Sequence, residues 1–404
     1  MHVIILEDCT GFPAGNATAE RILNLGRMLT ENGISVTLLL ARPSELTAYD
    51  RNTSSAGTIA GIRYSYTCGT HVKASSFLGR RWQAWRGGYA ALVQIFRLAR
   101  LHANETVLYL YTDTPSISLA ATALARVLNV PVVTELCEWK PTLPSCSYAQ
   151  RLYYKFARLQ TSDGIVAIST RLSQTAAETS QAGICRIPIL TDVAECSVPR
   201  PPVDRNLISW CGQVDSYFED IAWLIQVFRL VLMRCPGARL AIVGGCSSKA
   251  AAMVQGLLSA EHIPFKAVQL LGYVERSQLL ELYAKSAALL LPLPESERSR
   301  CRFPTKLGEY LASGRPVITT AVGDLTRYLQ DDSNAFITRP GNPPLFAEKI
   351  IAALENPGRS DAVGAAGREV ARSHFHYAQH GPRFVEFLTR QLPGRTLANS
   401  PSHL

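Results

Sequence analysis

The stretch RFPTKLGEYLASGRPVI, Arg302 to Ile318, reads as a short helix feeding a buried strand. Pro304 blocks helical continuation from upstream and Thr305 stands where an N-cap is expected. Leu307, Tyr310 and Leu311 follow i, i+3, i+4 spacing, and Gly314 with Pro316 ends the helix. The spacing predicts Leu307 and Leu311 turned inward, with Lys306 and Glu309 sharing another face of the first turn. A plain i, i+3 ion pair is one account of these two charges. Lysine ahead of glutamate is, however, the less favourable order on a helix. A ligand accounts for them better: an amine beside a helix N-terminus suits a phosphate, and a carboxylate one turn on can accept hydrogen bonds from two neighbouring hydroxyls.

Outward from this stretch, helix and apolar run keep alternating. The first half carries VIIL, SVTLLL, TVLYLY, PVVTEL and GIVAIS, each followed by a helix-like segment such as Ala14 to Asn32. Such alternation predicts a parallel sheet covered on both faces. The proline-bearing segment TDVAECSVPRPPVDRN, Thr191 to Asn206, reads as an interdomain linker. LISWC then restarts the pattern, with RLAIVGG, AVQLLGY, AALLLPL and PVITTAV as further strands and Glu219 to Arg234 as a helix. The expected fold class is α/β: two Rossmann-like, doubly wound parallel-sheet domains facing across a cleft, where ligands bind at the carboxyl ends of the strands. The expected boundaries are 1–192, a linker at 193–206, 207–374, and a C-terminal helix and tail at 375–404, with Leu345 to Leu354 and Phe375 to Leu392 as late helices and Gly87-Gly88 interrupting the helix of Gly79 to His102.

Composition bounds the function. The chain has 404 residues, 47% apolar and 18% charged, which suits two full cores. No apolar stretch is long enough to span a bilayer. MHVIILEDCTG has no basic region ahead of its apolar run and reads as a strand rather than a signal peptide, so a cytoplasmic location is expected. The ten cysteines contain no C-x-x-C pair, and most fall in apolar surroundings as free thiols do. The net charge of +9 is uneven: between Asp50 and Glu105 there is no acid, but Arg51, Arg63, Lys73, Arg80, Arg81, Arg86, Arg97 and Arg100 all occur. Trp82 and Trp85 lie in that run, and an arginine- and tryptophan-bearing helix suits the interface of an anionic membrane; a core-facing stripe with solvated arginines is the alternative. Nucleic acid is not expected, since no binding module accompanies the charge.

After the first strand, EDCTGFPAGNATAER offers Gly11, Gly15 and Asn16 in a tight loop ahead of a helix whose N-H groups could meet an anion. The dinucleotide spacing G-x-G-x-x-G is absent, and the second strand ends at Ala41-Arg42 rather than in an acid. An NADP reading through Arg42 remains as an alternative.

FPTKLGEYLASGRPVI resembles the donor-site segment of retaining glycosyltransferases of the GT-B fold, family 4 above all. GFPAGNATAERILNLGRMLTENGISVTLL, DGIVAISTRL and LLGYVERSQLLELYAKSAALLLPL resemble further segments in the same order. The resemblance implies that Glu309 holds the ribose hydroxyls of a nucleotide sugar. It also implies that Lys306, with Pro304, Thr305 and Leu307, lines the diphosphate, and that Gly272 and Tyr273 approach the base. Gly212 ends the domain's first strand, Arg302 joins the donor side, and Glu138 faces the acceptor. The departures are Cys301, where the commoner pattern has a first glutamate, and Gln213 with the stretch Tyr217, Phe218, Glu219 and Asp220, where it has cations. Arg298, Arg300 or Arg302 could replace those. Two missing charge-assisted bonds would weaken donor binding by two or more powers of ten.

The expectation is a metal-independent, retaining hexosyltransferase acting in polysaccharide biosynthesis. Its donor is UDP- or GDP-linked, its acceptor lipid-linked or saccharide, and no cofactor is needed. Its seat is cytoplasmic, with a peripheral place on the inner membrane face through Arg80 to Arg100. An inactive partner protein on the same fold and a nucleotide-sugar epimerase are the alternatives.

Overall fold

The structure, a computed structural model, describes residues 1–8, 10–46, 52–143, 146–197 and 201–394. The readings made of Cys9, Arg51, residues 198–200 of the linker and most of the final tail lie outside the described residues. The chain forms two compact units: Met1–Leu190 together with the chain from Tyr377 onward, and Thr191–His376.

The first unit is an eight-stranded sheet. Its elements are β1 (His2–Glu7), α1 (Ala17–Glu31), β2 (Ser35–Leu40), β3 (Ala56–Ile59), β4 (Ile62–Tyr66), α2 (Phe77–Leu101), β5 (Thr106–Leu110), α3 (Pro115–Val127), β6 (Val132–Leu136), α4 (Tyr148–Phe156), β7 (Gly164–Ala167), α5 (Thr170–Thr179) and β8 (Gly183–Arg186). Strand order is β3-β4-β2-β1-β5-β6-β7-β8, and every pairing is parallel except β3 with β4. The central strands β1, β5 and β6 are buried at every residue, as both faces of a covered parallel sheet require. The β3-β4 hairpin was not read from the sequence. Its two-residue turn, Ala60-Gly61, has both φ angles positive at 50° and 78°, the geometry that matches strand twist.

Helix α2 runs without a break through Gly87-Gly88, contrary to the expected interruption. Gly87 is there because the helix passes so close to β2's exit that a Cβ would collide with the Ala41 carbonyl oxygen, and its own carbonyl accepts from Thr67 Oγ1 at 2.7 Å. The buried face of α2 is Gly87, Ala91, Ile95 and Ala99, while Trp82, Trp85 and Tyr89 are exposed. The C-terminal helix α14 begins at Gly381, later than the expected Phe375, and ends at Arg390. It belongs to the first unit: Phe384 is buried edge-on to Tyr109, and Arg383 donates to the Arg186 carbonyl.

The second unit is wholly parallel. It contains β9 (Asp204–Cys211), α6 (Phe218–Arg234), β10 (Arg239–Val243), α7 (Ser248–Ala260), β11 (Val268–Gly272), α8 (Arg276–Lys285), β12 (Ser286–Leu291), α9 (Glu297–Cys301), α10 (Lys306–Ala312), β13 (Val317–Thr320), α11 (Leu325–Tyr328), β14 (Phe336–Thr338), α12 (Pro343–Glu355) and α13 (Pro357–Val370). Strand order β11-β10-β9-β12-β13-β14 is the doubly wound 3-2-1-4-5-6 order, whose reversal falls between β9 and β12. β9 starts at Asp204, inside the segment read as linker. Among the described residues no helix is long and apolar enough to cross a membrane.

One ion pair is wholly inside the first unit. Arg21, on α1, is 1% exposed; its guanidinium meets Glu135 of β6 at 2.8 Å and donates to the Pro188 and Ile187 carbonyls at 2.6 and 3.0 Å. Glu135 also accepts from Tyr109 and, at 3.0 Å, from the Cys137 thiol. Burial alone would favour neutral arginine; Glu135 reverses that, and the Arg21 pKa is raised. Removing one partner of such a pair leaves the other charge buried alone. Arg21→Met is therefore expected to cost about 3–5 kcal/mol. Arg126→Met, which breaks the half-exposed pair with Asp163, should cost no more than about 1 kcal/mol. Urea unfolding of the two variants measures the difference.

Candidate functional site

At the carboxyl edge of the second sheet the exits of β9, β10 and β11 are laced by backbone. Gly212 N-H donates to the Val243 carbonyl at 2.8 Å, Gly244 N-H to the Gly272 carbonyl at 2.8 Å, and Val214 N-H to the Gly245 carbonyl at 2.9 Å. Gly244 has φ of +132°, and a Cβ there would collide with the Gly212 carbonyl oxygen. Gly272 also has positive φ, +65°, but open space surrounds it, and Tyr273 beside it is half-exposed. These strand ends therefore present a side-chain-poor backbone, a surface against which a flat or anionic ligand can lie closely.

Helix α10 borders that surface. Leu307, Tyr310 and Leu311 are fully buried, as their spacing predicted, and Tyr310 Oη accepts from Cys211 N-H at 2.8 Å, tying the helix to the end of β9. Thr305 is not a cap: its backbone is helical and its side chain makes no capping bond. The Leu307 and Gly308 amides donate to the Pro304 and Thr305 carbonyls at 3.0 and 3.2 Å, so this first turn offers fewer free N-H groups than a capped helix would. Lys306 and Glu309 do not pair with each other. Among the described residues Lys306 has no carboxylate partner, and its charge opposes the rise that burial causes in the Cys211 thiol pKa.

Glu309 meets a residue that the sequence reading missed. Arg276, first residue of α8, donates from Nη1 to Glu309 Oε1 at 2.9 Å and, from Nε and Nη2, to both oxygens of Glu195 at 2.7 and 3.0 Å. The arginine thus grips Glu195 with both prongs and holds one oxygen of Glu309. Cys196, buried beside them, has its thiol pKa pushed up by burial first and by Glu309 next. An arginine four residues past the positive-φ glycine of LLGYVER was the available signal.

The arginine-rich segment of α9 reaches Tyr217, just past the end of β9. The Arg298 and Arg302 guanidinium carbons sit 5.6 and 5.2 Å from the Tyr217 ring centre, and Arg302 Nη1 donates to Tyr217 Oη at 3.2 Å. Burial raises the pKa of Asp220, and Arg302 and Arg298 oppose that rise without cancelling it. Arg300 is turned away, paired with Glu295 at 2.5 Å. Cys301 is buried, 1% exposed.

In the first unit, Gly11, Gly15 and Asn16 come together in the loop after β1. Asn16 Oδ1 accepts from Thr18 and Ala19 N-H at 2.9 and 3.4 Å and from Thr10 Oγ1 at 2.9 Å. The helix amides expected to await an anion are therefore engaged by the cap itself. A Cβ on Gly15 would collide with the Gly11 carbonyl, and Asn52 ties the loop down by bonds to Ala14 N-H and carbonyl, both 2.8 Å. Glu138 is half-buried past β6, and the buried carboxylate of that strand is Glu135 instead. Arg42, the residue on which an NADP reading rested, lies 3.3 Å from Asp8.

Residues 205–356 match the family glycosyl transferases group 1. That match covers β9 to α12, including every donor-side residue named above except Glu195 and Cys196. The chain is 25% identical over 226 residues to a trehalose synthase of Pyrococcus horikoshii, covering 54% of this chain and 50% of that one. It is 29% identical over 173 residues to a D-inositol 3-phosphate glycosyltransferase of Xylanimonas cellulosilytica, covering 42% and 39%. The matches thus span half the length or less of these curated relatives. The structure is similar to a sucrose-phosphate synthase of Thermosynechococcus elongatus, with a TM-score of 0.73 at 18% identity over 97% of this chain and 99% of that one. It is similar also to Anabaena HepE in complex with UDP and glucose, with a TM-score of 0.68 at 16% identity over 96% and 99%. These likenesses show the GT-B fold: two Rossmann-like α/β domains.

Within the group 1 segment the strand-end glycines differ in what they need. Gly244→Ala adds both left-sided strain and a backbone collision and is expected to cost about 2–5 kcal/mol. Gly272→Ala adds strain alone, about 1–2 kcal/mol. Chemical unfolding of the two proteins checks the order, and equal losses would show that the Gly212–Gly244 approach is not tight.

Proposed function

We propose that this protein is a glycosyltransferase that moves a sugar from a nucleoside-diphosphate donor, UDP- or GDP-linked, to a hydroxyl of a lipid-linked or saccharide acceptor, with retention and without a metal ion. The observation that carries the reading is the arrangement around the glycine-laced strand ends: Lys306 and Glu309 on α10, which Tyr310 ties to the end of β9, and Arg298 and Arg302 over Tyr217 just past that strand. The sequence lacks cations at Gln213 and Phe218, and these two arginines supply positive charge at Tyr217, the residue before Phe218, from a different segment.

In the proposed reaction the bond between the anomeric carbon and the distal phosphate oxygen breaks and a bond to the acceptor oxygen forms. The hydroxyl proton leaves with the nucleoside diphosphate. Negative charge grows on the diphosphate as the sugar departs, so the groups that matter are those fixed near it beforehand: Lys306, Arg302, Arg298 and the backbone N-H groups of Thr305 and Lys306. Glu309 takes the ribose hydroxyls on the oxygen that Arg276 leaves open. In the first unit the Gly11–Asn16 loop and Glu138 serve the acceptor.

The exposed face of α2 supports a peripheral place on an anionic membrane. Trp82 stacks on Trp85 at 5.2 Å and Trp85 on Tyr89 at 6.0 Å, all three rings exposed, beside Arg81 and Arg86 on a helix without an acid. One observation favours a second reading, an inactive partner protein: Arg276 occupies part of Glu309.

Calorimetric titration of UDP, GDP, ADP and NADP⁺ separates the readings. One nucleoside diphosphate should bind, and Glu309→Ala and the double variant Arg298→Gln/Arg302→Gln should each weaken it by roughly tenfold or more. Binding of none of them at millimolar concentration would remove the transferase reading.

A further inference from the structure

The first unit contains a recess that the donor chemistry does not use. Its volume is about 620 Å³, and Arg42, Lys73, Arg80 and Arg81 line it together with Pro43 and Phe77. Among the described residues no carboxylate is in the lining. Among the described residues only Arg42 has an acid nearby, Asp8 at 3.3 Å, while Lys73, Arg80 and Arg81 have none. Four cations facing one concavity repel each other, an arrangement that a bound anion relieves.

The recess is built rather than assembled by chance from loose side chains. The Gln83 amide donates to the Val72 carbonyl at 3.0 Å and accepts from Ala74 N-H at 2.8 Å, clamping the Lys73 segment to α2. Lys73 N-H donates to the Glu45 carbonyl at 2.9 Å, and the Arg81 guanidinium lies 5.5 Å from the Phe77 ring centre. Glu45, whose backbone holds Lys73, accepts from the Asn52 side chain at 2.7 Å through its own carboxylate. Position matters as well. Arg42 lies just past the end of β2, whose neighbour β1 feeds the Gly11–Asn16 loop, so the recess opens on the carboxyl edge of the first sheet.

We propose that this recess binds a phosphate-ester or diphosphate group, and that the group belongs to the acceptor. The word acceptor rests on the transferase reading; the anion site does not. A phosphorylated sugar and a lipid diphosphate headgroup share this chemistry, and the neighbouring aromatic face of α2 gives the second a physical route to the recess.

Inorganic pyrophosphate is the first probe, titrated calorimetrically into Lys306→Gln, which disables the proposed donor diphosphate site, and into the triple variant Lys306→Gln/Lys73→Gln/Arg81→Gln. The triple variant should bind roughly a hundredfold more weakly than Lys306→Gln, about tenfold per recess cation removed. Lys73 is half-exposed and Arg81 exposed, and an unchanged circular dichroism melt confirms the fold. Undiminished affinity in the triple variant, or no pyrophosphate binding to Lys306→Gln, overturns the site. If this pattern holds while no nucleoside diphosphate binds, the recess stands and the transferase reading fails. Competition then assigns the source. Displacement of pyrophosphate by glucose 6-phosphate supports a free phosphorylated acceptor, and displacement only by phosphatidylcholine vesicles containing phosphatidic acid supports a lipid headgroup. Displacement by neither refutes a phosphorylated acceptor.

Discussion

Right-handed crossover between parallel strands is the constraint on which the rest of this structure depends. In the second unit β9 and β12 are neighbours, but the chain that follows each must travel to the opposite side of the sheet. A crevice at their carboxyl ends results from the topology, before any side chain is considered. Gln213 and Tyr217 leave from β9, Arg298 and Arg302 follow β12, and the crevice is where they converge. The first unit obeys the same rule between β1 and β5, and the Gly11–Asn16 loop stands at that reversal. Both sites are therefore consequences of strand order, and the side chains add selectivity to a place that the backbone has already opened.

Charge shows how such a place tolerates a changed sequence. A cation contributed from α9 needs only to reach the same region as one contributed from the end of β9, because a diphosphate senses position and field rather than chain origin. Tyr217 helps by offering a ring face to two guanidinium groups and a hydroxyl to one of them, which fixes their direction without neutralising them. Asp220 tempers the pair; burial and two arginines act on it in opposite senses. Cys301, the buried last residue of α9, immediately precedes Arg302.

The sheets were legible in the sequence because buried parallel strands are continuous apolar runs, and VIIL, TVLYL and SAALLL can hardly be anything else. The inward face of α10 was legible for the same reason: its three apolar positions have no competing period. The β3-β4 hairpin was not, because AGTI and IRYSY are short and half-exposed, so neither run has the apolar content of a central strand. Thr305 misled because a threonine before an apolar period has the composition of a cap, whereas its conformation is set by Pro304 and by the turn it shares with Leu307. Arg276 was invisible for a different reason. Its partners, Glu195 and Glu309, lie 81 and 33 residues away, and no local pattern encodes a contact made across a fold.

That contact decides how Glu309 can act. A lone half-buried carboxylate keeps several rotamers and loses them when a ligand binds, at a cost of about 1 kcal/mol or more. Arg276 removes that freedom in advance by holding Oε1 and leaving Oε2 for a ligand. Its own orientation is set by the two-pronged grip on Glu195, so the geometry of Glu309 is fixed by a residue a few positions past the boundary between the units. A guanidinium shared between two carboxylates leaves a net negative charge, and that charge suits hydroxyl donors rather than another anion. The neutral, hydroxyl-bearing part of a ligand is thus directed to Glu309 and its anionic part to Lys306, one helical turn away. The two ends of α10's first turn sort the ligand by charge, and the sorting depends on Arg276 pairing with Glu309 in preference to Lys306.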